Sequence, residues 1–172
     1  NSATIDYYGG FRPGDNLYGA SLIALDAETG ERAWHFQMVK HEIWNFDNPT
    51  APVLLDLDMP GRGTVPAVMQ VTKQAWVYAF DRVTGEPLWP IVDRPVPPSI
   101  VPGEVLSPTQ PHVTKPAPFD MQGITEDDLI DFTSALRAEA LEVMEEFVMG
   151  PLFNPPIHAD NPMGKYAAMN CP

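Results

Sequence analysis

From Lys40 to Asp47 the chain reads Lys-His-Glu-Ile-Trp-Asn-Phe-Asp, and Lys73 stands 28 residues after Asn45. Carboxylates such as Glu42 and Asp47 can take a proton from a reacting group, and a lysine ammonium can stabilise negative charge on an oxygen. On an extended segment Asn45 and Asp47 point the same way and share one surface. The same residues also have plainer uses. Asn45 and Asp47 before Pro49 can cap a turn, Lys73 can be a solvated charge at a strand edge, and His41 can face a turn. His112 and His158 have no partner at a metal-ligand spacing.

The elements that must position these residues come from a repeat. Ala24-Leu25-Asp26-Ala27-Glu28-Thr29-Gly30-Glu31-Arg32-Ala33-Trp34 returns as Ala79-Phe80-Asp81-Arg82-Val83-Thr84-Gly85-Glu86-Pro87-Leu88-Trp89, with Ala, Asp, Thr, Gly and Trp in register. Each copy predicts a strand, a tight turn and a second strand. Asp can accept turn amides, Thr can bond locally to the backbone, and Gly supplies a positive φ. A sheet built from such units has two apolar faces, which are buried when sheets stack radially as propeller blades. The expected units cover about residues 17–40 and 65–92. A loop with a short strand, Val53-Leu54-Leu55, and a Pro60-Gly61 turn separates them.

Nine prolines between Pro90 and Pro118 remove donors too often for a sheet interior, so residues 90–118 read as an extended crossing segment. A helical insertion is expected at 125–148. Thr125-Glu126-Asp127-Asp128 has the form of a capping box, and Thr133 can cap a helix running to about Phe147. Leu136, Ala140, Val143 and Phe147 would pack it on the propeller. Residues 149–172 read as a loop toward a further blade.

A chain of 172 residues with a net charge of −13 has no basic run to track a phosphate backbone, so nucleic acid is not an expected partner. The single cysteine, Cys171, cannot form an internal disulfide. With blades of roughly 40 to 55 residues, the length suits part of a propeller, and the chain is expected to be an internal piece of one domain whose remaining blades lie elsewhere in the parent protein.

The pattern Ala-x-Asp-x-x-Thr-Gly-x-x-x-Trp resembles the tryptophan docking motif of the eight-bladed quinoprotein dehydrogenases, in which each Trp wedges between blades. The run His41-Glu42-Ile43-Trp44-Asn45-Phe46-Asp47, followed by Lys73, is similar to the His-Asp-Leu-Trp-Asp-x-Asp loop and lysine of the membrane glucose dehydrogenase branch of the pyrroloquinoline quinone (PQQ) enzymes. Arg94-Pro95-Val96-Pro97, Pro102-Gly103-Glu104, Pro108-Thr109-Gln110-Pro111 and Gly150-Pro151-Leu152-Phe153-Asn154-Pro155-Pro156 resemble segments of that branch in the same order.

The resemblance implies an all-β fold, a partial eight-bladed quinoprotein propeller with a helical insertion. It implies oxidation of an aldose or alcohol by PQQ, with electrons passed to a quinone or another acceptor. The proposed base of the family falls on Asn45, an amide that cannot take a proton, which leaves Asp47 or Glu42 as the carboxylate. Lys73 falls on the lysine that contacts the quinone carbonyls, with Trp44 and His41 beside it on the cofactor side. The family's Ca²⁺ (or Mg²⁺) takes an Asn from a Gly-Asn-x-x-x-Asp segment. The corresponding stretch places Ser2 where that Asn is expected and Asp6 on the Asp, with Asn1 as a neighbour. The resemblance also implies a periplasmic location, with an inner-membrane anchor in the parent. Asn45 favours the alternative, a non-catalytic propeller acting as a scaffold or binding module.

Overall fold

The computed structural model describes residues 2–169; Asn1 and Cys171 lie outside them. The first motif forms an antiparallel hairpin of β1 (Ser21–Leu25) and β2 (Arg32–Gln37), pairing Ser21 with Gln37 and Ala24 with Trp34. The second lies in a three-stranded antiparallel sheet in the order β3 (Val53–Met59), β4 (Gly63–Val71), β5 (Val77–Asp81). An isolated bridge from Phe80 to Pro87 begins a fourth segment. The sheet thus reaches back to Val53 rather than starting near residue 65. The turn at Pro60 and Gly61 joins two strands of one sheet, and Leu54 to Met59 alternate exposed with half-buried positions along a strand edge.

Both repeat turns are built alike. Asp26 Oδ1 accepts the Glu28 and Thr29 amides and the Thr29 hydroxyl, at 2.8 to 3.0 Å. Asp81 Oδ1 accepts the Val83 and Thr84 amides at 2.8 and 3.1 Å. In each copy the threonine oxygen accepts the amide two residues on, that of Glu31 or Glu86, at 3.2 Å. The tryptophan then joins one unit to the next. Trp34 Nε1 donates to the Arg82 carbonyl at 3.1 Å, and the indole lies on Gly85, where an added Cβ would stand 2.7 Å from the ring.

The proline-rich stretch is more ordered than a crossing segment. Its ends, β6 (Ile91–Pro95) and β7 (Thr109–Val113), pair antiparallel. A two-stranded ribbon has no interior strand, so Pro95 and Pro111 cost it little hydrogen bonding. Two short pairs follow: β8 (Gly123–Ile124) with β10 (Gly150–Pro151), and β9 (Phe147–Val148) with β11 (Tyr166–Ala167).

In the insertion, the Asp128 carboxylate accepts the Thr125 amide and hydroxyl at 2.7 Å, and a single 3-10 turn spans Glu126–Asp128. Helix α1 (Ser134–Met144) begins at Thr133, whose hydroxyl accepts the Leu136 amide. It stops before Phe147 because Phe147 and Val148 are taken into β9. Its packing also differs from expectation. Arg137, Ala140, Leu141 and Met144 form the half-buried face, while Leu136 and Val143 are 40% and 53% exposed.

The main core gathers Met38, Val39, Ile43, Trp44 and Phe46 from the loop after β2 with Val68, Trp76, Tyr78 and Phe80 of the central sheet and Leu152 and Phe153 of the tail. Among the described residues no helix is long and apolar enough to cross a membrane.

Candidate functional site

The loop after β2 is pinned by distant polar groups before it reaches the candidate residues. The buried Gln110 side chain closes a two-way bond on Lys40, accepting its amide at 2.8 Å and donating to its carbonyl at 2.7 Å. His41 has a left-handed backbone, φ 45°, and is 1% exposed. Its Nδ1 meets the Gly14 carbonyl at 2.6 Å and its Nε2 meets Glu104 Oε1 at 2.7 Å. Glu42, equally buried, folds back so that Oε1 accepts the amides of Trp44 and Phe46 at 2.7 and 2.8 Å. Trp44 Nε1 donates to the Asn154 carbonyl at 2.9 Å, and its ring stacks with Phe46 and meets Phe153 edge-on.

With those residues turned inward, Asn45 and Asp47 remain half-buried, and Lys73 reaches both from the β4–β5 turn. Its Nζ donates to the Asn45 carbonyl at 2.9 Å, to Asn45 Oδ1 at 3.1 Å and to Asp47 Oδ2 at 3.4 Å. Asn45 is not extended. Its φ of 60° is the left-handed region that asparagine tolerates, and this brings its carbonyl and side chain onto one cation. The Ser2 amide donates to Asp47 Oδ1. Burial alone would raise the Asp47 carboxyl, but the Ser2 amide and the Lys73 ammonium outweigh it and hold the group below its ordinary value.

Four of the sequence candidates, Ser2, Asn45, Asp47 and Lys73, therefore converge. His41, Glu42 and Trp44 are buried beside them: both His41 ring nitrogens meet Gly14 and Glu104, Trp44 Nε1 meets Asn154, and Glu42 Oε1 caps the loop, while Glu42 Oε2 has no partner. The hydrogen bonds take Ser2 to Asp47 and not to Asp6, and among the described residues no group of three or more His, Cys, Asp or Glu gathers as a metal cage. Glu104, Gln110 and Asn154 were missed as contributors to the loop. They lie inside segments that stood out only by resemblance, and nothing local pairs Glu104 with a histidine 63 positions earlier.

A family model described as "Glucose/ethanol/alcohol dehydrogenase, beta-propeller domain" of the PQQ class matches residues 1–167. The chain belongs to this quinoprotein family. It is 38% identical over 129 residues to a quinate/shikimate dehydrogenase (quinone) of Acinetobacter baylyi, covering 74% of this chain and 16% of that protein. It is 38% identical over 109 residues to a quinoprotein glucose dehydrogenase of Gluconobacter oxydans, covering 63% of this chain and 14% of the relative. A solved quinohemoprotein alcohol dehydrogenase of Pseudomonas putida aligns at 30% identity with a TM-score of 0.44, over 49% of this chain and 14% of that one. The chain thus spans about a sixth of the length of the curated relatives it matches. The family is one of PQQ β-propeller oxidoreductases, and the strands and inter-unit tryptophan described above are the part of that propeller present here.

The converging residues fit a quinone cofactor. A lysine cation lies at a half-buried edge between an amide and a carboxylate, and buried polar atoms without partners include Ser2 Oγ, Glu42 Oε2, Asn48 Oδ1 and both amide atoms of Gln74. Such atoms call for a ligand or water that can hydrogen-bond.

Proposed function

We propose that the protein containing this chain oxidises an aldose or alcohol with PQQ and passes the electrons to a quinone-type acceptor. The observation that carries this reading is the contact of Lys73 Nζ with Asn45 and Asp47. The relatives' printed names, which include glucose, quinate and glycerol dehydrogenases, support a sugar or polyol hydroxyl as the reacting group. The resemblance to the membrane glucose dehydrogenase branch supports a periplasmic site of action, with any anchor in the inner membrane.

When bound, PQQ supplies the two-electron redox chemistry. Lys73 and Asn45 are the residues that would hold it. The lysine's three donors are all engaged, and the 3.4 Å contact to Asp47 is the longest of them, so it is the one most readily exchanged for a ligand oxygen. Asp47 acts as proton acceptor. Its lowered pKa keeps it ionised at neutral pH, and loss of the Lys73 contact on exchange makes it a better base. Asn45 orients, since its amide cannot take a proton. Glu42 is enclosed by the loop it caps and serves geometry. A Ca²⁺ or Mg²⁺ beside the cofactor would find an oxygen donor in the unpartnered Ser2 hydroxyl and would take its other ligands chiefly from the rest of the parent.

The test is a PQQ titration of the full-length protein in Ca²⁺ or Mg²⁺, with dye reduction on glucose and a panel of alcohols, for wild type, Lys73→Ala and Asn45→Asp. Turnover by wild type and its loss in Lys73→Ala support the reading. Binding of PQQ with turnover only in Asn45→Asp identifies a propeller that has lost its base. Absence of PQQ binding favours the scaffold alternative, for which Asn45 is the specific observation.

A further inference from the structure

The Asn45–Asp47 edge is not shaped by its own sequence alone. Two side chains from the proline-rich stretch, 63 and 70 residues downstream, hold the residues that precede it. Gln110, fully buried, clasps both backbone groups of Lys40. Glu104 uses both carboxyl oxygens: Oε1 meets His41 Nε2 at 2.7 Å and Oε2 accepts the Gly9 amide at 2.5 Å. The His41 and Glu104 side chains are 2% and 1% exposed. A Cβ at Gly9 would overlap the His41 imidazole, so the glycine is what lets the two groups meet.

Hydrogen-bond counting restricts this pair further. A carbonyl can only accept, so His41 Nδ1 carries a hydrogen toward Gly14. A backbone amide can only donate, so Glu104 Oε2 is an acceptor toward Gly9. One proton then lies between Nε2 and Oε1, whichever atom it rests on. The imidazole is thereby fixed in one orientation, with the left-handed backbone of His41 directly before the Glu42 cap.

We propose that Glu104 and Gln110 are positioning residues for the cofactor edge: acting through His41 and Lys40, they set the loop that presents Asn45 and Asp47 to Lys73. The inference rests on the PQQ reading for its functional consequence, but its structural half stands apart from it. Glutamine at 104 can satisfy the same two neighbours, with its amide donating to a neutral His41 Nε2 and its carbonyl accepting the Gly9 amide. Alanine satisfies neither. The chemistry therefore predicts rescue by the conservative variant.

The experiment compares full-length wild type, Glu104→Ala and Glu104→Gln in two measurements. The first is amide hydrogen exchange, without cofactor, of peptides spanning residues 40–48 and, as an internal reference, residues 81–88. The expected result is at least tenfold faster exchange of the 40–48 peptide in Glu104→Ala, an unchanged 81–88 peptide, and near-wild-type exchange in Glu104→Gln. The second is the Kd for PQQ, expected to weaken at least tenfold in Glu104→Ala and to recover within threefold in Glu104→Gln. If Glu104→Ala does not fold, Glu104→Met keeps the volume, removes both acceptors and takes its place. Wild-type exchange in the alanine or methionine variant overturns the proposal, as does failure of glutamine to restore it. If exchange responds as expected but wild type binds no PQQ, the cofactor reading fails and the positioning of the loop remains.

Discussion

At the level of single residues, the site turns on how one lysine divides its hydrogen bonds. Asp47→Asn keeps the shape of the contact with Lys73 but removes the half-buried carboxylate it touches. Turnover should fall by about 10²- to 10⁴-fold with PQQ affinity changed far less, the signature of a lost proton acceptor, read from kcat against Kd. Asn45→Asp should act differently. A second carboxylate on Lys73 disfavours ionisation of the first, so the acidic limb of the pH–rate profile should move to higher pH. An unshifted limb would show that Asp47 is not the group titrating. The spacing from Asn45 to Lys73 was legible in the sequence, but the left-handed backbone at Asn45 was not, because asparagine tolerates that region without requiring it.

At the level of elements, the two repeat turns share one construction and differ in what lies on them. Gly30 and Gly85 both have positive φ, 73° and 78°, so alanine at either strains the backbone. Nothing lies within 4 Å of a Cβ at Gly30, whereas one at Gly85 collides with Trp34. Gly30→Ala should cost about 1 kcal/mol. Gly85→Ala should cost about 3 kcal/mol, similar to removing the docked indole, and thermal melts of the two variants should separate accordingly.

Asp26 and Asp81 sit in these turns with pKa values lowered chiefly by the Thr29 and Thr84 amides. A carboxylate whose folded pKa is depressed stabilises the fold above its unfolded value and loses that contribution as pH falls through the folded one. The turns should therefore hold at neutral pH and weaken below about pH 4, and Asp81→Asn should flatten the acid side of the stability profile. The turn chemistry was readable from Asp-x-x-Thr-Gly. The orientation of α1 was not, because Leu136, Ala140, Val143 and Phe147 offer one apolar stripe and Ala140, Leu141 and Met144 another, and only contact with the chain's other parts selects between them.

Across the whole molecule, the tail closes the core over the site loop. Phe153 is 1% exposed and meets Trp44, Phe46, Trp76 and His112 at centroid distances of 5.1 to 6.0 Å. Phe153→Ala should destabilise by about 3 to 5 kcal/mol and weaken PQQ binding in step, as followed by thermal unfolding and ligand titration. Retained affinity despite the stability loss would show that the loop keeps its form without the tail.

The sequence by itself determined the repeated turns, which rest on short-range chemistry, while the tryptophan that joins one unit to the next and the place of Lys73 at the site were legible only through the resemblance. Only the tertiary structure decided that His41, Glu42 and Trp44 face inward, that Glu104 and Gln110 hold the loop, and that the proline-rich ends pair as a ribbon. A buried polar atom must find a partner wherever the fold supplies one. Here the partners come from tens of residues away, and no local propensity encodes that distance.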